Sequence, residues 1–315
     1  MSARLVMKLR VAEVTKLTPE ITGFRFVHPR RPRLPEWTAG AHVDVHLPDG
    51  AVRQYSLCGD PGDRSSYRIA VKREDGGRGG SAWLHAHAAA DMEIPVSAPR
   101  NHFHIETREG RHVLIAGGIG VTPLLALARV FARENRDFAF HYCIRHPHKA
   151  AFVDELRELC GDRLTLWVSD EGAMLDPLAL MDAERGAQLV VCGPAPLTDA
   201  IEAAADQVGW PLEAYHTERF TALSDAGFEP ESFQAVIAST GTELDVPADR
   251  SLLSVLAENG IELDSSCEIG VCGSCECGYL KGDVIHRDVV LGPKAQRTRL
   301  MPCVSRAAGK VVLDL

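Results

Sequence analysis

The spacing of four cysteines constrains this chain more than any other feature. Cys267 is followed by four residues and Cys272, then two residues and Cys275, and 27 residues separate Cys275 from Cys303. That is the plant-type pattern in which four thiolates ligate two irons bridged by two sulfides. Gly270 and Gly273 suit the loop, because residues without a Cβ let backbone N–H groups come close to the cluster sulfurs. Zinc sites favour paired C-x2–4-C knuckles, which three cysteines in one loop and a distant fourth fit less well. Cys277, two residues beyond Cys275, is expected to point away in an extended segment and is left out of the cluster.

The chain has 315 residues, enough for two or three domains, and a formal net charge of −9. The acidic balance argues against nonspecific nucleic-acid binding. No apolar run is long enough to span a membrane, and the N-terminus lacks the apolar stretch of a secretory signal, so a cytoplasmic protein is expected. Cys58, Cys143, Cys160 and Cys192 are scattered singly, as reduced thiols are, whereas the remaining five cluster as a metal site would.

Three regions differ in pattern. Residues 1–108 hold short β-like runs (21–27, 42–47, 51–57 and 67–72) separated by turns such as Pro48-Asp49-Gly50, which predicts an antiparallel β-barrel with one helix near 81–90. Residues 109–222 alternate apolar runs (113–116, 138–143, 164–168, 189–192) with helical stretches (123–134, 150–159, 177–183, 196–208), which predicts an α/β domain with a parallel sheet. A polar linker covers 223–232. Residues 233–315 carry strands at 234–239, 243–246, 277–280 and 311–313, a helix at 252–259 and the cysteine loop.

The segment Val113 to Pro123 (VLIAGGIGVTP) reads as strand, glycine turn and helix, which offers free N–H groups and a positive helix end to a pyrophosphate. It is not a G-x-G-x-x-G fingerprint. Cys192-Gly193-Pro194 sits at a strand's carboxyl end, where open α/β sheets bind ligands, and Asp170 follows another strand, placed to accept from a ribose 2′-OH and to repel a 2′-phosphate. NADH is therefore expected over NADPH. In the barrel, alternation puts Arg53 and Tyr55 on one face and Ser56 on the other, and Arg78-Gly79-Gly80-Ser81 opens the helix as an anion site.

Taken jointly and in order, RQYSL, GRGGS, GGIGVTP, CGP and CEIGVCGSC with the distant cysteine resemble the phthalate dioxygenase reductase family. The likeness covers essentially the whole chain. It is particularly similar to reductase components of aromatic-ring oxygenases and aryl-ether demethylases, vanillate demethylase reductase among them. The resemblance implies an FMN-binding barrel, an NAD-binding α/β domain and a β-grasp (α+β) ferredoxin domain, serving a terminal oxygenase with Rieske non-haem iron. By motif, Arg53, Tyr55 and Ser56 would line the flavin, Ala70, Val71 and Lys72 would approach it through their backbone, and Gly80 and Ser81 would hold its phosphate. Gly118, Thr122 and Pro123 would face the NAD pyrophosphate, with Cys192, Gly193 and Pro194 beside the nicotinamide, and Phe220 would close over the flavin. Ser56 and Cys192 are the candidate catalytic residues, as orienting groups. The alternatives are the same electron chain serving a cytochrome P450 or another acceptor, and a redox-sensing protein.

Overall fold

The computed structural model describes residues 5–103, 105, 110–223, 227–292 and 294–315. The expected boundary at 108/109 and part of the expected linker (224–226) lie outside them. The chain forms two compact units, 1–218 and 219–315.

The first unit opens with six strands: β1 (Val6–Lys16), β2 (Ile21–Val27), β3 (His42–His46), β4 (Val52–Ser56), β5 (Tyr67–Lys72) and β6 (Glu93–Ser97). They are ordered β4-β3-β6-β1-β2-β5, with antiparallel pairing throughout. A bridge from Leu57 to Ile69 joins the two ends, so the sheet closes into the expected barrel. Closure removes the free edges that an open sheet would leave unpaired. Alternating residues of the strands (Leu9 and Val11, Phe24 and Phe26, Val43 and Val45, Ile69 and Val71) fill the interior. Helix α1 (Gly80–His87) packs against β5 and contributes Leu84 to that core.

Five parallel strands follow in the same unit: β7 (His112–Gly117), β8 (Phe138–Ile144), β9 (Leu164–Val168), β10 (Gln188–Cys192) and β11 (Tyr215–Glu218). Their order is β11-β10-β7-β8-β9. The helices between them are α2 (Val121–Arg133), α3 (Val153–Cys160), α4 (Pro177–Ala183) and α5 (Ala195–Val208). Val113, Ile115, Leu189 and Val191 pack on α4 and α5. His112 and Phe138 turn the other way and meet Phe131 of α2, with ring centroids 4.7 and 5.9 Å away. Helices therefore cover both faces, as near-continuous apolar strands require. Asp176 caps α4 by accepting from the N–H groups of Leu178 and Ala179, with Pro177 at the first helical position.

Barrel and parallel sheet share one unit because α2 serves both, with Ala126 packed into the barrel core. Across the same junction Glu155 of α3 accepts from Arg68 of β5 at 2.9 Å and from Arg129 of α2.

The second unit contains β12 (Phe233–Ile237), β13 (Glu243–Val246), helix α6 (Leu252–Glu258), β14 (Cys277–Ile285), β15 (Arg299–Leu300) and β16 (Arg306–Asp314). The sheet order is β13-β12-β16-β14-β15, with β12 and β16 parallel and the other pairs antiparallel. A mixed sheet with α6 laid across one face (Leu252, Val255 and Leu256 against Phe233, Ala235 and Val311) is the expected β-grasp arrangement. Ser251 caps α6 by accepting from the N–H of Ser254 at 3.1 Å.

Candidate functional site

The cysteine loop runs from the end of α6 to the start of β14 and draws four buried thiols together. Side-chain hydrogen bonding couples them in two pairs, Cys267 with Cys272 and Cys275 with Cys303. Two pairs are what two irons need at two thiolates each. The N–H groups of Ile269 and Val271 lie 3.4 Å from Cys267 Sγ, and those of Cys267 and Ser274 lie 3.5 and 3.4 Å from Cys272 Sγ. Hydrogen bonding from Cys267 lowers the Cys272 thiol to about 5, and hydrogen bonding from Cys303 lowers Cys275. The donor partners, Cys267 and Cys303, are pushed well up. A loop that pairs four buried thiols, with N–H donors aimed at sulfur, is built for a metal–sulfur centre.

Gly270 and Gly273 adopt left-handed φ values of +75° and +70°, and even Glu268 sits at +55°. A Cβ on Gly270 would stand 2.7 Å from Val304 Cγ2 and 3.1 Å from Asp288 Cα, so the loop is sealed where a side chain would pry it open. Leu253, Met301 and Val304 give Cys275 and Cys303 an apolar surround. Cys277 faces the sheet core with Phe233 and Leu313, away from the cluster set, and burial pushes its thiol up to about 12.

In the barrel, β4 pairs with β3 in unbroken register, Val45 opposite Arg53, Val43 opposite Tyr55 and His42 opposite Ser56. No bulge re-aims Ser56, so Arg53 and Tyr55 share the face of Val43 and Val45 while Ser56, buried, lies on the other. Burial raises the Tyr55 hydroxyl to about 12. Arg53 joins the start of α1: its guanidinium donates to the Arg78 carbonyl, and a Cβ on Gly80 would fall 2.4 Å from Arg53 Cγ. The structure thus brings together Arg53, Gly80 and Ser81 as a cationic helix start able to take a phosphate. Ala70 and Val71 are buried on β5, where the Val71 carbonyl lies 2.8 Å from His85 Nε2, and Lys72 pairs with Glu74 at 2.8 Å.

The two glycine turns of the parallel sheet meet at the carboxyl ends of adjacent strands β7 and β10. A Cβ on Gly120 would lie 2.2 Å from the Cys192 carbonyl oxygen, and one on Gly117 would lie 2.7 Å from Pro194 and Leu197. Gly118, at φ +52°, has open space where its side chain would be. Thr122 Oγ1 donates back to the Ile119 carbonyl at 3.0 Å, and Tyr142 Oη donates to the Gly118 carbonyl at 3.1 Å. Thr122, Pro123, Cys192 and Gly193 are buried beneath this junction, while Gly118 and Pro194 are exposed. The result is a shallow floor of backbone suited to a nucleotide pyrophosphate. Asp170 lies in the loop after β9, on the same side of the sheet, paired with His146 and with Arg145 at 3.5 Å. Phe220 belongs to the second unit.

One residue of this region has no motif to mark it. Glu218 ends β11 in register with Cys192, and its carboxylate oxygen lies 4.0 Å from the thiol. Burial raises Glu218 to about 8 and holds Cys192 well above the ordinary thiol range. A neutral carboxyl beside a neutral thiol is a polar, uncharged corner beside the glycine floor.

The 2Fe-2S iron-sulfur cluster binding domain family matches residues 236–308. The tert-butanol monooxygenase / tert-amyl alcohol desaturase reductase subunit of Aquincola tertiaricarbonis is 42% identical, over 99% of this chain and 97% of its own length. A solved phthalate dioxygenase reductase, described as a modular structure for electron transfer from pyridine nucleotides to [2Fe–2S], is 36% identical with a TM-score of 0.72, over 99% of this chain and 98% of that one. An intact type IV self-sufficient cytochrome P450 monooxygenase reaches a TM-score of 0.89 at 35% identity, where this chain covers 41% of the larger protein and 98% of itself is matched. Among the described residues no helix is long and apolar enough to cross a membrane. With a cluster loop, an NAD(H)-binding sheet and a flavin barrel in the order of these relatives, the chain belongs to the phthalate dioxygenase reductase family of electron-transfer oxidoreductases.

Proposed function

We propose that this chain is the NADH-dependent reductase of a cytoplasmic oxygenase system, that its flavin is FMN, and that its partner is a terminal oxygenase with a Rieske non-haem iron centre. The observation that carries the reading is the junction of the Gly117–Gly120 turn with Cys192-Gly193 in a chain that also holds the paired cluster thiols. Bound flavin and cluster would supply the change from two-electron to one-electron transfer that links a hydride donor to a one-electron acceptor.

The residues divide this work. Arg53, Gly80 and Ser81 hold the FMN phosphate, since one guanidinium at one helix start matches a phosphate monoester. Tyr55 presents its ring to the flavin, and Ala70, Val71 and Lys72 lie along β5 beside it, whereas Ser56, expected to orient the reactive edge, stands on the opposite face of β4 from Tyr55. Gly118, Thr122 and Pro123 seat the pyrophosphate, Asp170 takes the adenosine ribose, and Cys192, Gly193 and Pro194 bound the nicotinamide. Neutral Glu218 keeps that corner free of charge while Cys192 positions the ring. Cys267, Cys272, Cys275 and Cys303 are the iron ligands. We assign 1–108 to the flavin domain, 109–222 to the NAD domain, 223–232 to the linker and 233–315 to the ferredoxin domain.

The test is an absorption spectrum of the purified protein followed by anaerobic NADH. Flavin bands with an iron–sulfur shoulder that bleach on mixing, release of FMN rather than FAD on denaturation, and an electron paramagnetic resonance signal of a reduced [2Fe–2S] centre are expected. A protein that NADH does not bleach would overturn the reading. The fold match to an intact self-sufficient cytochrome P450 monooxygenase favours a second acceptor, a haem oxygenase, which turnover assays with each purified partner separate.

A further inference from the structure

Asp288, in the segment after β14, is a buried carboxylate that the electron chain does not use. No part of its side chain reaches water, a setting in which an acid is almost never found without partners. Its Oδ2 accepts from the N–H groups of Leu291 at 2.7 Å and Val290 at 3.2 Å, which closes a tight turn. Its Oδ1 has no hydrogen bond and lies 3.7 Å from His286 Nδ1. His286 Nε2 donates to the Gln296 carbonyl at 3.0 Å, which also accepts from Tyr279 Oη at 2.7 Å. The segment 286–291 is thus pinned at its start by an imidazole and beyond it by one carboxylate. What it covers is the cysteine loop. The Val289 N–H donates to the Gly270 carbonyl at 3.0 Å, and Asp288 Cα lies 3.1 Å from where a Cβ on Gly270 would stand. Gly270 belongs to the stretch between Cys267 and Cys272. Val290 and Leu291, whose N–H groups Asp288 holds, are half-buried and pack on Cys275, Cys303, Leu253 and Met301. One short segment therefore lies against both halves of the thiol set.

We infer that Asp288 is a positioning residue for the iron–sulfur centre: by folding 288–291 into a turn, it holds Val290 and Leu291 as the cover that keeps water from Cys275 and Cys303. The inference rests on the ligand set proposed above. An apolar shell over a metal site controls solvent access, and solvent access governs both the hold on the metal and the redox potential. The turn needs an acceptor oxygen at position 288 and not its charge, because both bonds come from neutral backbone N–H groups. Reduction adds negative charge to the centre, and water favours the more charged form, so a loosened cover raises the potential.

The experiment compares full-length holoprotein with Asp288→Asn, Asp288→Ala and Leu291→Ala. Two quantities are read: the anaerobic rate at which iron passes to excess bathophenanthroline disulfonate, and the midpoint potential at which the reduced [2Fe–2S] resonance appears. Asp288→Ala, which has no acceptor, is expected to release iron at least about tenfold faster, whereas Asp288→Asn, which keeps one, stays within about twofold of wild type. The potential is expected to be more positive in Asp288→Ala than in Asp288→Asn. Leu291→Ala thins the cover and leaves the turn, so faster release is expected there too, and it decides the matter if Asp288→Ala does not fold. Release at the wild-type rate from Asp288→Ala or from Leu291→Ala would overturn the inference. So would equal acceleration in Asp288→Asn and Asp288→Ala, because the charge and not the turn would then be responsible. A lowered Tm in Asp288→Ala with the potential unmoved would overturn it as well, since that marks a residue that only supports the fold. Failure of the underlying reading looks different: wild-type protein that carries no iron–sulfur absorption.

Discussion

At the scale of single residues, the chemistry of a cysteine here depends on which way it points. Cys275 and Cys277 are two apart, yet one lies among the cluster thiols and the other in the sheet core. Serine at Cys275 is expected to abolish the iron–sulfur absorption and the protein's iron content. Serine at Cys277 is expected to keep both and to cost about 1–3 kcal/mol of stability, because a hydroxyl replaces a thiol in an apolar core. Iron assay and denaturant unfolding check the pair. Glu218 yields a second residue-scale prediction. Its carboxyl is raised from 4.5 to about 8 by burial, so the folded state binds the proton that the unfolded state releases. That contribution to stability is full below pH 4.5 and is lost as pH rises through about 8. Glu218→Gln is expected to remove this component, leaving a flatter profile of Tm against pH between 4.5 and 8. That Cys267, Cys272, Cys275 and Cys303 would share one buried loop site was legible because their spacing is itself the signal. Glu218 was not, because its setting arises from parallel pairing of β11 with β10, which no local pattern records.

At the scale of elements, the parallel sheet works by letting two backbones touch. Gly120 lies against the Cys192 carbonyl so closely that a methyl group has no room, and the obstruction is backbone that cannot rotate away. Gly120→Ala is therefore expected to cost about 1–3 kcal/mol through forced backbone shifts and to raise the KM for NADH several-fold. Gly118→Ala is the informative control. Its Cβ would meet nothing, and its cost is the left-handed φ of +52° alone, about 1 kcal/mol. Thermal unfolding and NADH titration of both variants separate crowding from backbone strain. The elements themselves were largely legible: the runs at 21–27, 67–72, 164–168 and 243–246, and the helix at 177–183, coincide with β2, β5, β9, β13 and α4. The expected helix over 150–159 begins later, at Val153, because Phe152 takes a left-handed φ of +64° and cannot belong to a helical turn. β14 runs on to Ile285 and β16 begins at Arg306, well past the short apolar runs expected there. Both are polar and exposed over part of their length, so apolar pattern could not reveal strands held by pairing to each other.

At the scale of the whole molecule, the division of contacts carries a consequence for electron flow. Barrel and parallel sheet form one unit with α2 common to both, whereas residues 219–315 close around their own core. The buried Arg306 strengthens that independence: its guanidinium donates to the carbonyls of Arg250, Glu231 and Pro247 and lies 4.8 Å from the Phe233 ring centroid, all within the second unit. A chain ending at residue 222 should therefore fold, bind flavin and keep NADH-dependent reduction of ferricyanide within about threefold of the full protein. The same chain should lose transfer to a terminal oxygenase, because the 2Fe-2S domain match at 236–308 and the four cysteines proposed as iron ligands all lie beyond residue 222. The complementary piece, 227–315, should fold around its cluster and show the same reduced [2Fe–2S] resonance when dithionite replaces NADH. If instead the truncated chain precipitates or releases its flavin, the two units depend on each other for folding. The one-electron step would then be part of a single cooperative structure and not a module attached to a self-sufficient flavin reductase.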